Sequence, residues 1–98
     1  MKTRNEYIDM LKACGNVLRT RFGVSSLRLF GSVARNEQTE NSDIDVCVEM
    51  KPNLFQRIQL KQYLEEQLGC QVDVIRIHKN MNELLKSQIE EDGIYIFS

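Results

Sequence analysis

The chain has 98 residues, 42% of them hydrophobic and 28% charged, with a formal net charge of −1 and one proline. That length supports a single core, burying roughly 60–68% of the unfolded surface, so one domain spanning 1–98 is expected, without a second lobe. The composition excludes disordered and low-complexity classes, no stretch approaches the ~20 apolar residues of a membrane span, and the first residues lack the apolar run of a signal peptide, so a cytoplasmic protein is expected.

The charge is unevenly spread. Residues 1–35 carry seven Lys/Arg against Glu6 and Asp9, whereas residues 36–50 hold five Asp/Glu and no base. Such an acidic segment is either a solvated surface or a site waiting for cations. Cys14, Cys47 and Cys70 show none of the paired spacings of a zinc site or a disulfide framework and read as reduced core thiols.

Thr3-Arg4-Asn5-Glu6 has the form of a capping box, and Tyr7, Leu11, Cys14 and Leu18 follow at helical spacing until Phe22-Gly23, predicting one helix near 4–22. Ser26 to Phe30 alternates and ends at Gly31, predicting a short strand, with a helical turn opening over Ser32 to Arg35. Asp43-Ile44-Asp45-Val46-Cys47-Val48 alternates and is β-branched, so a second strand begins at Ser42 or Asp43. Asn53 and Gln56 frame a helix start; Leu54, Ile58, Leu60, Leu64 and Leu68 form a stripe, and Gly69 is a C-cap. Cys70 to Ile77 reads as a third strand. Asn80 and Glu83 suggest a capped helix through about Asp92, closed by Gly93, and Ile94 to Phe97 is a final short strand.

If Gly31 and the aspartates share one site, the first two strands run antiparallel. The second and third are then parallel, joined by the 54–68 helix as a right-handed crossover. An α+β fold follows, with a small mixed sheet flanked by helices.

Positions i and i+2 of a strand share a face, so Asp43 and Asp45 present two carboxylates side by side. At ~4 Å and an effective dielectric near 20 they repel by about 4 kcal/mol, which a divalent cation reverses. Oxygen-only ligands favour Mg²⁺ or Mn²⁺ over zinc; the bland alternative is an exposed acidic strand edge. Asp73 places a carboxylate where Val72, Val74 and Ile75 want apolar neighbours, and either a shared metal or a salt bridge to Arg76 or Arg28 would relieve it. Gly31-Ser32 offers a residue without Cβ, a hydroxyl and helix-start amides to phosphate oxygens. Arg35 meets a phosphate or caps the acidic loop after it. Ser42, before the Asp pair, binds phosphate or a neighbouring carboxylate.

Taken together, Gly31, Ser32, Ala34, Arg35, Ser42, Asp43, Asp45 and Val46 resemble, in order and spacing, the G-S-x-A-R-G-x5-S-D-x-D signature of the minimal nucleotidyltransferases (MNT proteins) of the DNA polymerase beta superfamily, with Asp73 matching the third acid. The resemblance runs from about Leu27 to Ile77. One departure is Asn36 in place of the signature's last glycine, and asparagine tolerates a left-handed backbone better than most residues.

The resemblance implies a polymerase-beta-like palm and a two-metal transfer of a nucleoside monophosphate, AMP from ATP or another NTP, to a hydroxyl. Gly31, Ser32, Arg35 and Ser42 would bind the nucleotide. Asp43, Asp45 and Asp73 would hold the metal, two Mg²⁺ or Mn²⁺ ions, and Asp73 would also draw the acceptor's proton. Small MNT proteins are commonly antitoxins of HEPN-type toxins and adenylylate a toxin tyrosine, so a HEPN-type partner is implied, in a homo- or hetero-oligomer. The alternatives are a catalytically silent module that neutralises its partner by occlusion, transfer to a small molecule, and, favoured faintly by the basic first helix, a nucleic-acid acceptor.

Overall fold

The computed structural model describes residues 2–98. Nine elements follow in chain order: α1 (Arg4–Ala13), α2 (Gly15–Phe22), β1 (Ser26–Phe30), α3 (Gly31–Ala34), β2 (Ile44–Glu49), α4 (Leu54–Leu68), β3 (Val72–Arg76), α5 (Glu83–Asp92) and β4 (Ile94–Phe97). The sheet order is β3-β2-β1-β4. β1 pairs antiparallel with both β2 and β4, and β2 pairs parallel with β3 across the α4 connection, as the shared-site argument requires.

Strand alternation sorts the side chains onto two faces. Leu27 and Leu29 of β1, Ile44, Val46 and Val48 of β2, and Val72 of β3 enter the main core, which Tyr7, Leu11, Leu18, Phe22, Leu60, Leu64 and Leu68 close from α1, α2 and α4. The intervening residues face the other way. There Phe30, Cys47 and Ile75 meet Ile89 and Leu85 of α5 in a smaller cluster.

Several local features differ from the sequence reading. The expected helix over 4–22 is two helices meeting at Cys14, which closes α1 through its amide and opens α2 through its carbonyl. Gly15 explains the break. A glycine weakens a helix interior, and the Phe97 ring lies beside this one with ordinary contact room for a Cβ. The capping box of Thr3 and Glu6 forms as expected.

On α4, Leu60, Leu64 and Leu68 are buried, but Leu54 and Ile58 are exposed together with Phe55. Ile58 lies two residues from Leu60, about 200° around the helix, so the two cannot share a narrow face. Gly69 caps α4 in the left-handed conformation. β2 begins at Ile44 because Ser42 and Thr39 close a turn just before it. α5 starts one turn later than Asn80: the Asn82 side chain accepts from the Leu84 and Leu85 amides and supplies the cap, whereas the Asn80 amide donates to His78 Nδ1.

All three cysteines are free, Cys14 and Cys47 buried and Cys70 only half-buried. Among the described residues no helix is long and apolar enough to cross a membrane.

Candidate active site at the β1–α3 junction

β1 passes into α3 without a loop, and Phe30, its last residue, is also the N-cap. The first-turn amides of a helix lack intrahelical partners, and no side chain caps them here. Gly31 makes the turn at φ +75°, in the left-handed region, and it faces Asp45: a Cβ at Gly31 would collide with the Asp45 carboxylate. The pairing explains the approach, because Phe30 is opposite Asp45 in the β1–β2 register and Asp45 is opposite Asp73 in the β2–β3 register. Three adjacent strands thus bring Gly31, Asp45 and Asp73 to one place.

They line a cavity of about 390 Å³ with Ser32 and Arg35. Phe30, Ile75 and Leu85 add an apolar wall, and Gln88 and Asp92 of α5 add polar groups that the sequence reading did not single out. A larger hollow, about 680 Å³, lies at the far end of β2, where its only ionisable groups are Glu49 and Lys51. Asp45 and Asp73 are therefore in the smaller cavity.

Asp45 is half-buried, and its pKa is raised to about 6, first by burial and then by the charges of Asp73 and Asp43, against a smaller lowering by Arg35. Both of the other expected carboxylates therefore act on Asp45. Asp43 is exposed, just ahead of β2, and lies outside that cavity, in a separate depression with Glu40, Ser42 and Gln71. Among the described residues, no three acidic, His or Cys side chains are gathered into a ready cation cage. The donors nevertheless fit a hard divalent cation, being all oxygen, acidic, and close to a backbone stripped of Cβ.

Asp73 is exposed, in contrast to the burial its apolar neighbours suggested, because β3 is an edge strand and its carboxylate opens into the cavity. It makes no salt bridge to Arg28 or Arg76: Arg28 stacks on the Tyr95 ring at 4.6 Å, and Arg76 reaches the Ile77 carbonyl. Ser42 lies outside the 390 Å³ cavity, its hydroxyl accepting from the Thr39 amide at 2.9 Å. Asn36 adopts φ 60°, the left-handed conformation that the signature's glycine would take.

Arg35 is held from two sides. Its Nη1 donates to Asp92 Oδ2 at 2.8 Å and its Nε to Glu37 Oε2 at 3.3 Å. These carboxylates, Asp92 first, raise its pKa further. Capping of the acidic loop is thus realised through Glu37, while Arg35 keeps its place on the cavity rim.

The sequence pattern described as polymerase beta, nucleotidyltransferase matches residues 12–98. The chain belongs to the polymerase beta nucleotidyltransferases. This nucleotidyltransferase is 42% identical over 98 residues to a candidate protein adenylyltransferase of Methanocaldococcus jannaschii, covering 98% of this chain and 100% of the relative. It is 41% identical over 91 residues to the protein adenylyltransferase MntA of Thermococcus cleftensis, covering 91% and 87% of the two chains. Among solved structures it superposes on a candidate minimal nucleotidyltransferase with a TM-score of 0.69 at 32% identity, over 93% of this chain and 89% of that one. It also superposes on a variant MntA–HpeT toxin–antitoxin complex with a TM-score of 0.65 at 25% identity, over 97% and 72%.

Proposed function

We propose that this nucleotidyltransferase moves AMP from ATP to a tyrosine hydroxyl of a HEPN-type toxin, and so acts as an antitoxin. The observation that carries the reading is the half-buried Asp45 set against Gly31, in one cavity with Ser32 and Asp73. Similarity to a protein adenylyltransferase MntA and to a toxin–antitoxin complex supports the choice of donor and acceptor.

Gly31, Ser32 and Arg35 hold the β- and γ-phosphates, with the glycine letting phosphate oxygens approach the backbone. Asp43, Asp45 and Asp73 hold two divalent ions, Mg²⁺ or Mn²⁺, whose chemistry is to neutralise the phosphate charge and make the acceptor hydroxyl more acidic. Asp73, the most open of the cavity's carboxylates by its edge-strand position, takes the acceptor's proton. The acceptor oxygen bonds to the α-phosphorus as the bond from that phosphorus to the bridging oxygen breaks, and pyrophosphate leaves. Ser42 sets the loop that presents Asp43. The acceptor's own protein supplies its positioning, because a cavity this open encloses little by itself.

Incubation of the protein with its cognate toxin and Mg-ATP is expected to add whole AMP units to the toxin, read by mass spectrometry, and Asp43→Asn is expected to abolish the addition. A toxin neutralised equally well by the Asp43→Asn protein, with no mass change, would establish occlusion instead.

A further inference from the structure

The helix α5 ends against its own dipole. Glu90, Glu91 and Asp92 occupy its last turn with no base among them, where carboxylates are disfavoured by the partial negative charge of the helix end. Asp92 is the one that turns inward, its side chain 23% exposed against 65% for Glu37, the other partner of Arg35. Its oxygen meets Arg35 Nη1 at 2.8 Å, the shorter of the two ion pairs formed by the described residues. Asp92 and Arg35 also line the same cavity as Gly31, Ser32 and Asp45.

We infer that Asp92 is a positioning residue for the triphosphate: it anchors one edge of the Arg35 guanidinium so that the remaining donors are held at the rim of the cradle. The inference rests on the proposed reading of the cavity as the nucleotide site. A guanidinium has five N–H donors in a fixed plane, and the two bonds to Asp92 and Glu37 use one on Nη1 and the one on Nε. Three remain. Anchoring the fork in advance reduces the side-chain freedom that Arg35 loses when it meets a phosphate. The contact also spans 57 residues of chain, so α5 reports to the cradle directly.

The test compares ATP with AMP, which lacks the β- and γ-phosphates, as ligands of the full chain in the presence of Mg²⁺. Asp92→Asn is expected to weaken ATP binding about fivefold, the upper range for a partly exposed ion pair, and to leave AMP binding unchanged. Asp92→Glu is expected to restore most of the loss, and in an Arg35→Gln background Asp92→Asn is expected to cost nothing more. Should Asp92→Asn not fold, Arg35→Lys reads the same ATP–AMP difference, because an ammonium keeps the charge and loses the fork. Equal losses for ATP and AMP would reduce Asp92 to a brace for α5, and unchanged or tighter ATP binding would equally overturn the inference. Wild-type protein that binds no ATP would overturn this inference and the nucleotide-site reading together, whereas normal ATP binding insensitive to Asp92 overturns this one alone.

Discussion

On one face of the sheet, Ile44, Val46 and Val48 meet a continuous apolar layer from α1, α2 and α4, whereas on the other Asp45 and Cys47 find only the short α3 and α5 for cover and Asp43, just ahead of the strand, is exposed. The same strand thus contributes both to the main core and to a cluster of like charges. Period-two alternation makes this compatible: every carboxylate placed on the α5 side is matched by a branched apolar residue on the other. The comparison teaches that the α1–α2–α4 face supplies stability and the α5 face consumes some of it, as expected where like charges are assembled before their ligand arrives.

The sharpest way to separate the faces is Asp45→Asn. Transfer is expected to fall about a thousandfold, the scale of losing one preorganised charged contact, while the protein becomes more stable. The sign follows from protons bound. With the folded pKa near 6 and the usual value of 3.8, the native state holds more protons than the unfolded state between about pH 4 and 6, so wild-type stability declines across that window. Asp45→Asn is therefore expected to gain about 1–2 kcal/mol above pH 6 and to show no gain near pH 3, read by denaturant melts at both pH values. Loss of stability at pH 7.5 would break the comparison.

Leu64→Ala tests the opposite face. The side chain is fully buried, so its removal is expected to cost about 3 kcal/mol in the same melts, with ATP affinity of the folded fraction unchanged. A selective loss of ATP binding would show that the two faces are not separable.

The smallest effect belongs to the loop between them. Asn36→Ala is expected to destabilise by about 1 kcal/mol, since alanine lacks the local hydrogen bonding that lets asparagine visit the left-handed region, and Asn36→Gly is expected to be neutral or better. Equal stability of the three proteins would place the strain elsewhere.

The sheet was legible in the sequence because its constraints are local: alternation marked β1 and β2, and a shared site for Gly31, Asp45 and Asp73 forced one antiparallel and one parallel pairing. The break at Cys14 was not, because Tyr7, Leu11, Cys14 and Leu18 keep helical spacing across it and a single glycine at position 15 is a weak breaker on its own. Asp73 lines the cavity but was read as buried, since an apolar run looks the same in a central strand and in an edge strand. Of the cavity, Gly31, Ser32, Arg35, Asp45 and Asp73 were anticipated. Gln88 and Asp92 were not, although three acids in the last turn of α5 were a visible departure from helix electrostatics.

The direct passage from β1 into α3 has a consequence for how the protein opens. β1 is an interior strand, paired with both β2 and β4 over Leu27 to Leu29 and with β2 at Phe30, and no hinge separates it from Gly31 and Ser32. Local fluctuations that carry the cradle away must release a strand held in two ladders up to Leu29, so amide exchange over Arg28 and Leu29 is expected to follow global unfolding. The segment 37–43, which carries Asp43 on a turn closed by Thr39 and Ser42, has no such tether and exchanges early. One wall of the site is thus a fixed anvil and the opposing carboxylate rides on a spring.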